Sequence, residues 1–225
     1  MSPRRLPRAR AAAAAIGFGL VAGALHAATV QVTVLGLDGK PLPEAVVIIE
    51  PAQTAGAAAA PPAPVKTQIT QQKMQFVPAL SVIPLGSTVV FTNLDGWEHH
   101  VRGLPGGLAG LNAAPGSGFE VRLGGKVEGK PAESATVVLD RAGPLQLGCH
   151  IHGSMRGNIF VADTPWAVKT DAQGVALVPN VPEGAGRLRI WHAEQLVEAA
   201  PLAITVLPLT ALSVPTRITP RGRRL

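Results

Sequence analysis

Gly148–Val161 reads G-C-H-I-H-G-S-M-R-G-N-I-F-V and contains the only cysteine of the chain, Cys149, together with His150, His152 and Met155. Cys149, His152 and Met155 follow the spacing Cys-x-x-His-x-x-Met. A thiolate, an imidazole and a thioether together select copper among the first-row metals. Two histidines and one cysteine in a trigonal plane, with a weak axial methionine, form an electron-transfer centre. The stretch therefore needs a second histidine from elsewhere. Asn93–Val101 (N-L-D-G-W-E-H-H-V) supplies His99 and His100 at the end of an apolar run. Leu145–Leu147 reads as a strand end and Gly157–Ala162 as the next strand, so the loop between them can present its side chains to one point. A distant strand end carrying His99 would close the shell and tie two parts of a sandwich together.

Composition points the same way. Charged residues make up 15% of the 225, tyrosine is absent, and 25 glycines and 21 prolines favour short strands joined by turns. No stretch keeps a long amphipathic helical period, so the expected class is all-β. Met1–Ala27 reads as an export signal: Arg4, Arg5, Arg8 and Arg10 precede the apolar Ala11–Leu25, and Leu25-His26-Ala27 offers a cleavage site. The alternative, a retained membrane anchor, needs about 20 apolar residues, more than this run has. Losing the segment leaves 16 of the 20 basic side chains against 14 acidic ones, so the formal charge of +6 is no argument for nucleic-acid binding. The expected location is the periplasm or exterior, with no stable membrane span after cleavage. A lone cysteine in an exported chain has no internal disulfide partner, and ligation would hold it as thiolate.

Taken in order, Thr29–Leu35 alternates as a half-buried strand, and Asp38–Pro43 supplies a turn. Ala45–Ile49 is a second strand, and the Ala/Pro-rich linker 51–65 loses all pattern. Gln71–Val77 and Val82–Pro84 read as short strands, and Gly86–Asn93 as a turn and strand delivering the histidine pair. Leu104–Gly118 reads as a long glycine-rich loop. Phe119–Leu123 and Ala135–Leu139 are further strands. Beyond Asp163, Trp166–Leu177 reads as strand, turn, strand; Val178–Gly186 as a turn-rich link; Arg187–His192 as a strand; and Ala203–Leu207 as the last strand before a basic tail, 217–225.

Residues 66–163 resemble the cupredoxins, closest in loop form to amicyanin and plastocyanin. Cys149, His152, Met155, Arg156 and Gly157 match the ligand loop and its M-R-G exit. His99 with Val101, preceded by Asn93, matches the upstream histidine element, and Phe76-x-Pro78 and Gly86–Asn93 also fit. The resemblance implies a Greek-key β-sandwich with one type 1 copper ion at one end, bound by His99, Cys149, His152 and Met155. It departs at His100, where asparagine is usual, at Ile151 and Gly153, where prolines are frequent, and at Leu147, often aromatic. Such positions tune ligand orientation and potential.

The flanks, 28–50 and 164–216, resemble the two parts of a carboxypeptidase regulatory-like domain. V-T-V-L-G-L-D-G-K-P-L-P-E-A-V-V opens it and K-T-D-A-Q-G-V-A-L-V-P-N-V-P-E-G-A-G-R-L-R-I continues it. The expected arrangement nests the 66–163 domain inside this second small sandwich; the alternative adds both flanks to one enlarged sandwich.

Adjacent strand residues face opposite ways, so only one of His99 and His100 can ligate, and the H-x-V register favours His99. His150 reads as a solvated side chain and His192 as a structural hydrogen-bonding one. Five histidines outside the leader are too few for a trinuclear oxidase centre, and one cysteine cannot build a thiolate-bridged pair. The expected function is that of a periplasmic blue-copper protein passing single electrons to a redox protein partner, and not an enzyme. The partner would dock over the copper end, on Leu104–Leu111. Alternatives are copper delivery or storage without productive electron transfer, and an interaction module in which copper is structural.

Overall fold

The computed structural model describes residues 27–53, 60–114, 116–195 and 197–220, so the leader as far as residue 26, residues 54–59 of the Ala/Pro linker and the last five residues of the tail lie outside it. The described chain is all-β: sixteen strands and one short helix. In chain order the strands are β1 (Ala27–Leu35), β2 (Val46–Pro51), β3 (Lys66–Gln72), β4 (Gln75–Val77), β5 (Leu80–Pro84), β6 (Thr88–Asn93) and β7 (His99–Pro105). After helix α1 (Gly107–Leu111) come β8 (Phe119–Leu123), β9 (Ser134–Val138), β10 (Gly143–Cys149) and β11 (Arg156–Ala162). The chain ends with β12 (Ala167–Lys169), β13 (Val175–Pro182), β14 (Gly184–Trp191), β15 (Leu202–Val206) and β16 (Leu209–Pro215).

Four sheets arise, in orders β13-β1-β16, β12-β2-β14-β15, β5-β11-β10-β7-β8 and β4-β3-β6-β9. The first two use only strands from the flanks, and the last two only strands between Lys66 and Ala162. Three buried clusters lie between the sheets. Val30, Val32, Val47, Ile49 and Leu188 fill the space between the flank sheets. Phe76, Phe91, Val101, Leu147 and Ile159 fill the space between the two central sheets. A third cluster of Val46, Ile48, Leu80, Phe160, Ala162 and Trp191 joins one flank sheet to the β5–β11 edge of a central sheet.

The joint follows from strand geometry. Successive side chains of a strand face opposite sides. In β2, Val47 and Ile49 enter the flank core while Val46 and Ile48 enter the joint. In β11, Ile159 and Val161 face the central core while Phe160 and Ala162 face the joint. Strands covered on both faces read as continuous apolar runs, which is why V-V-I-I and I-F-V-A show no alternation. The Phe160 and Trp191 rings pack with centroids 5.6 Å apart, and Lys169 Nζ donates to the Leu80 carbonyl at 3.1 Å across the same seam.

Local differences from the sequence reading have simple causes. Gln71–Val77 is a hairpin, since Lys73 and Met74 both adopt positive φ and turn the chain between β3 and β4. Val178–Gly186 is not a link: β13 runs on to Pro182 and β14 starts at Gly184, because pairing to β1 outweighs the turn signal of its prolines and glycines. A further strand, β16, follows Ala203–Leu207 and pairs in parallel with β1, although its outer residues are polar or exposed. Leu104–Gly118 contributes the end of β7 and the helix α1. His99 opens β7 after a five-residue connection and does not end the strand that contains Asn93.

His192 closes the flank sandwich. Its Nδ1 accepts the Glu194 N–H at 3.1 Å. Burial pushes its pKa below the ordinary imidazole value; Glu194, the Pro43 carbonyl and Glu44 act the other way without overcoming it. The folded state thus favours the neutral ring, whose contribution is complete above pH about 6.5 and is lost as pH falls through the lower folded value. Urea midpoints measured between pH 7 and pH 5 should fall for the natural protein and fall less for His192→Gln. For the joint, Trp191→Ala removes a large buried side chain and should cost about 3–5 kcal/mol. Calorimetry should then resolve two transitions where the natural protein gives one; a single unchanged transition would mean the seam carries no coupling.

Candidate metal centre

The site forms where β7 and β10 pair antiparallel, with Cys149 opposite Val101. The alternation of β7 buries His99, Val101 and Gly103 and turns His100 and Arg102 outward. His99 is therefore on the core side, with no solvent exposure. His100 instead meets the Glu98 carboxylate at 2.7 Å, which settles the direction of each ring. After Cys149 the chain leaves the sheet. His150 donates its backbone N–H to the His100 carbonyl at 2.9 Å, and the Met155 N–H bonds the His152 carbonyl at 2.9 Å, closing the loop before β11. Gly157 lets β11 pass beside β4: a Cβ there would lie 3.0 Å from the Phe76 side chain.

His99 Nδ1, Cys149 Sγ and His152 Nδ1 all lie within 4.8 Å of one another. Individually, Sγ is 3.4 Å from His152 Nδ1 and 3.7 Å from His99 Nδ1, and the two nitrogens are 3.1 Å apart. Cys149 and Met155 are buried members of the central core, while His152 is partly exposed. His150 is exposed and takes no side-chain part in the cluster, and His192 lies in the flank sandwich. The donor set fits copper: two imidazole nitrogens and a thiol converge on one point, and the buried Met155 thioether belongs to the same hydrophobic core as Cys149.

Two polar residues build this end. Asn93 is fully buried; its Nδ2 contacts the carbonyls of Trp97 at 2.7 Å, Gly124 at 2.9 Å and Leu123 at 3.2 Å, and its Oδ1 accepts the Asp95 N–H at 2.9 Å. Asp95 was not singled out from sequence. Its Oδ2 lies 2.9 Å from His99 Nε2, and it accepts the backbone N–H groups of Lys73 at 2.6 Å and Met74 at 2.9 Å. Burial works to raise the Asp95 pKa, but the bonds from Met74, His99 and Lys73 outweigh it, and the carboxyl is held below its ordinary range. In sequence, Asp95-Gly96 reads only as a turn; its spacing of four from His99 was the available signal.

Leu104–Leu111 is not at this end. β7 carries the chain away from His99, and at about 3.3 Å per residue Leu104 stands roughly 16 Å along it; the Gly106 N–H bonds the Pro144 carbonyl beside the start of β10. Exposed apolar side chains on the loops around the site include Met74, Trp97 and Ile151.

No family profile matches the sequence, and no curated protein matches it. The similar solved structures are consistently cupredoxins. An oxidised amicyanin variant shares 18% identity over 53% of this chain and 99% of its own, with a TM-score of 0.34. Auracyanin from Roseiflexus castenholzii shares 21% over 43% of this chain and 96% of its own, with a TM-score of 0.33. A purple cupredoxin from Nitrosopumilus maritimus shares 19% over 43% and 99%, with a TM-score of 0.30. At such scores the chemistry of the site rests on its own geometry.

Asn93→Ala would remove the amide donor from one buried carbonyl, that of Leu123, and two partly buried ones, those of Trp97 and Gly124, at about 1–3 kcal/mol for a group left without a partner. We expect a loss of about 2–4 kcal/mol in chemical denaturation, and His99 ring resonances that broaden as the Asp95–Trp97 loop loosens. Unchanged stability would show that solvent replaces the amide freely.

Proposed function

We propose that this chain is an exported blue-copper protein that passes single electrons to a redox partner. The observation that carries this reading is the convergence of His99 Nδ1, Cys149 Sγ and His152 Nδ1 within 4.8 Å at the end of a β-sandwich. His99, Cys149, His152 and Met155 would hold the copper ion, whose preference for imidazole and soft sulfur donors they match. Bound copper would supply reversible one-electron chemistry between its two oxidation states.

The remaining work falls to the protein. Burial of Cys149 and Met155 keeps water from the sulfur ligands, and anchorage of His99 on a paired strand holds its ring against movement. A rigid site changes little on oxidation and reduction, which suits electron transfer. Closure of the site by core side chains also favours retention over release, which supports a carrier above a delivery or storage protein. His152, the partly exposed ligand, gives the electron its shortest way out. Met74, Trp97 and Ile151 surround that end and make it the surface for a weakly docking redox protein. Among the described residues no helix is long and apolar enough to cross a membrane.

Loading residues 28–225 with Cu(II) and recording visible and paramagnetic-resonance spectra tests this directly. We expect an intense thiolate-to-copper band, absent in Cys149→Ser and lost or altered in His99→Ala, while His100→Ala keeps it. A colourless protein whose weakly held copper ignores all three substitutions would refute the electron-carrier reading.

A further inference from the structure

We propose that Asp95 is the positioning residue of the copper centre: its carboxylate fixes the His99 ring so that Nδ1 is the free donor atom, and binds that ring to the Lys73–Met74 turn. The proposal rests on the copper reading for its consequences at the metal, though the geometry it starts from does not.

The carboxylate is only 6% exposed and faces three N–H groups: those of Lys73 at 2.6 Å and Met74 at 2.9 Å, and His99 Nε2 at 2.9 Å. Both oxygens of the Asp95 side chain already serve as acceptors for backbone N–H groups, so the third contact is completed by an N–H on Nε2. In the neutral imidazole the lone pair then sits on Nδ1, the atom 3.1 Å from His152 Nδ1 and 3.7 Å from Cys149 Sγ. Without this bond the ring is free to place its proton on Nδ1, and that tautomer cannot ligate there. A carboxylate behind a ligating imidazole also raises the basicity of the ring, which stabilises the more highly charged metal state.

The same carboxylate holds the hairpin. Lys73 and Met74 have φ of 54° and 56°, the left-handed region for both central residues of a two-residue turn. Such turns are normally built from Asn-Gly or Asp-Gly. Here two side chains ill suited to that conformation are retained, and both of their N–H groups point at Asp95. The turn thus holds the carboxylate in place, the carboxylate holds the ring, and the exposed Met74 becomes part of a rigid rim around the site.

Removing Asp95 alone would release the turn as well as the ring. The test therefore uses a Lys73→Asn, Met74→Gly background, whose Asn-Gly turn is stable by itself. In that background Asp95→Ala and Asp95→Asn are compared by ¹⁵N chemical shifts of His99 in the metal-free protein, and by Cu(II) affinity in competition with a chelator. We expect the background to keep the Nε2–H tautomer. Asp95→Ala should give mixed tautomers and bind Cu(II) about 10- to 100-fold more weakly. Asp95→Asn, which keeps an oxygen acceptor, should restore most of the tautomer. A folded Asp95→Ala variant with the Nε2–H tautomer and Cu(II) affinity unchanged overturns the proposal, as does an Nδ1–H ring in the natural protein. If the natural protein binds no Cu(II), the copper reading fails, while the metal-free tautomers still decide the role of Asp95.

Discussion

A histidine ring with no solvent exposure can end a hydrophobic core only if both of its nitrogens have partners, because an orphaned polar group buried there costs several kcal/mol. For His99 that requirement spreads outward. Nε2 needs an acceptor and finds Asp95. The buried carboxylate needs more donors and takes them from the Lys73–Met74 turn. The backbone that carries Asp95 is held by Asn93, which also reaches the start of the connection after β8. Three loops from both central sheets are thereby tied around one ring. The second nitrogen, Nδ1, finds its partners in a thiol and a second imidazole.

The layered arrangement serves that end of the molecule by staying away from it. β3 begins at Lys66 and runs toward the end where Asn93 lies, since the two strands β3 and β6 pair in parallel. β11 leaves that end at Arg156 and finishes at Ala162. The chain therefore passes from the flank strands into the central sheets, and back out of them, at the end remote from His99. The flank sandwich adds its weight through the side of the β5–β11 edge, where Phe160 and Trp191 meet. Such a joint enlarges the buried core without covering His152.

Much of this was written in the sequence, for reasons that differ from place to place. Cys149, His152 and Met155 are close in the chain, so their spacing reports directly on the loop that carries them. His99 is some fifty residues away and was found only because two adjacent histidines follow an apolar run. Asp95 was lost because a carboxylate before a glycine is the commonest of turn signals, and only the folded register brings it behind a ring. The hairpin at Lys73–Met74 was illegible for the opposite reason: it lacks the glycine or asparagine that positive φ usually demands, since its support comes from a residue 21 or 22 positions later. β16 was missed because a parallel edge strand beside β1 has few inward side chains to mark it. In β13, pairing to β1 overrode prolines that suggested a link.

The uneven burial of the four candidate ligands carries a last consequence. His99, Cys149 and Met155 have the core on their side, and only His152 stands partly in water. In a centre that exchanged its metal, access would be needed along a path that several donors could follow in turn. Here the three buried donors are held by paired strands, by core packing or by the Asp95 bond, and a departing ion would have to leave past the single exposed ring while the others stay fixed. An electron needs no such opening. The one-electron exchange proposed for this chain requires a rigid inner shell and one imidazole edge near the surface, and the packing of the three buried donors and the partial exposure of His152 suit both.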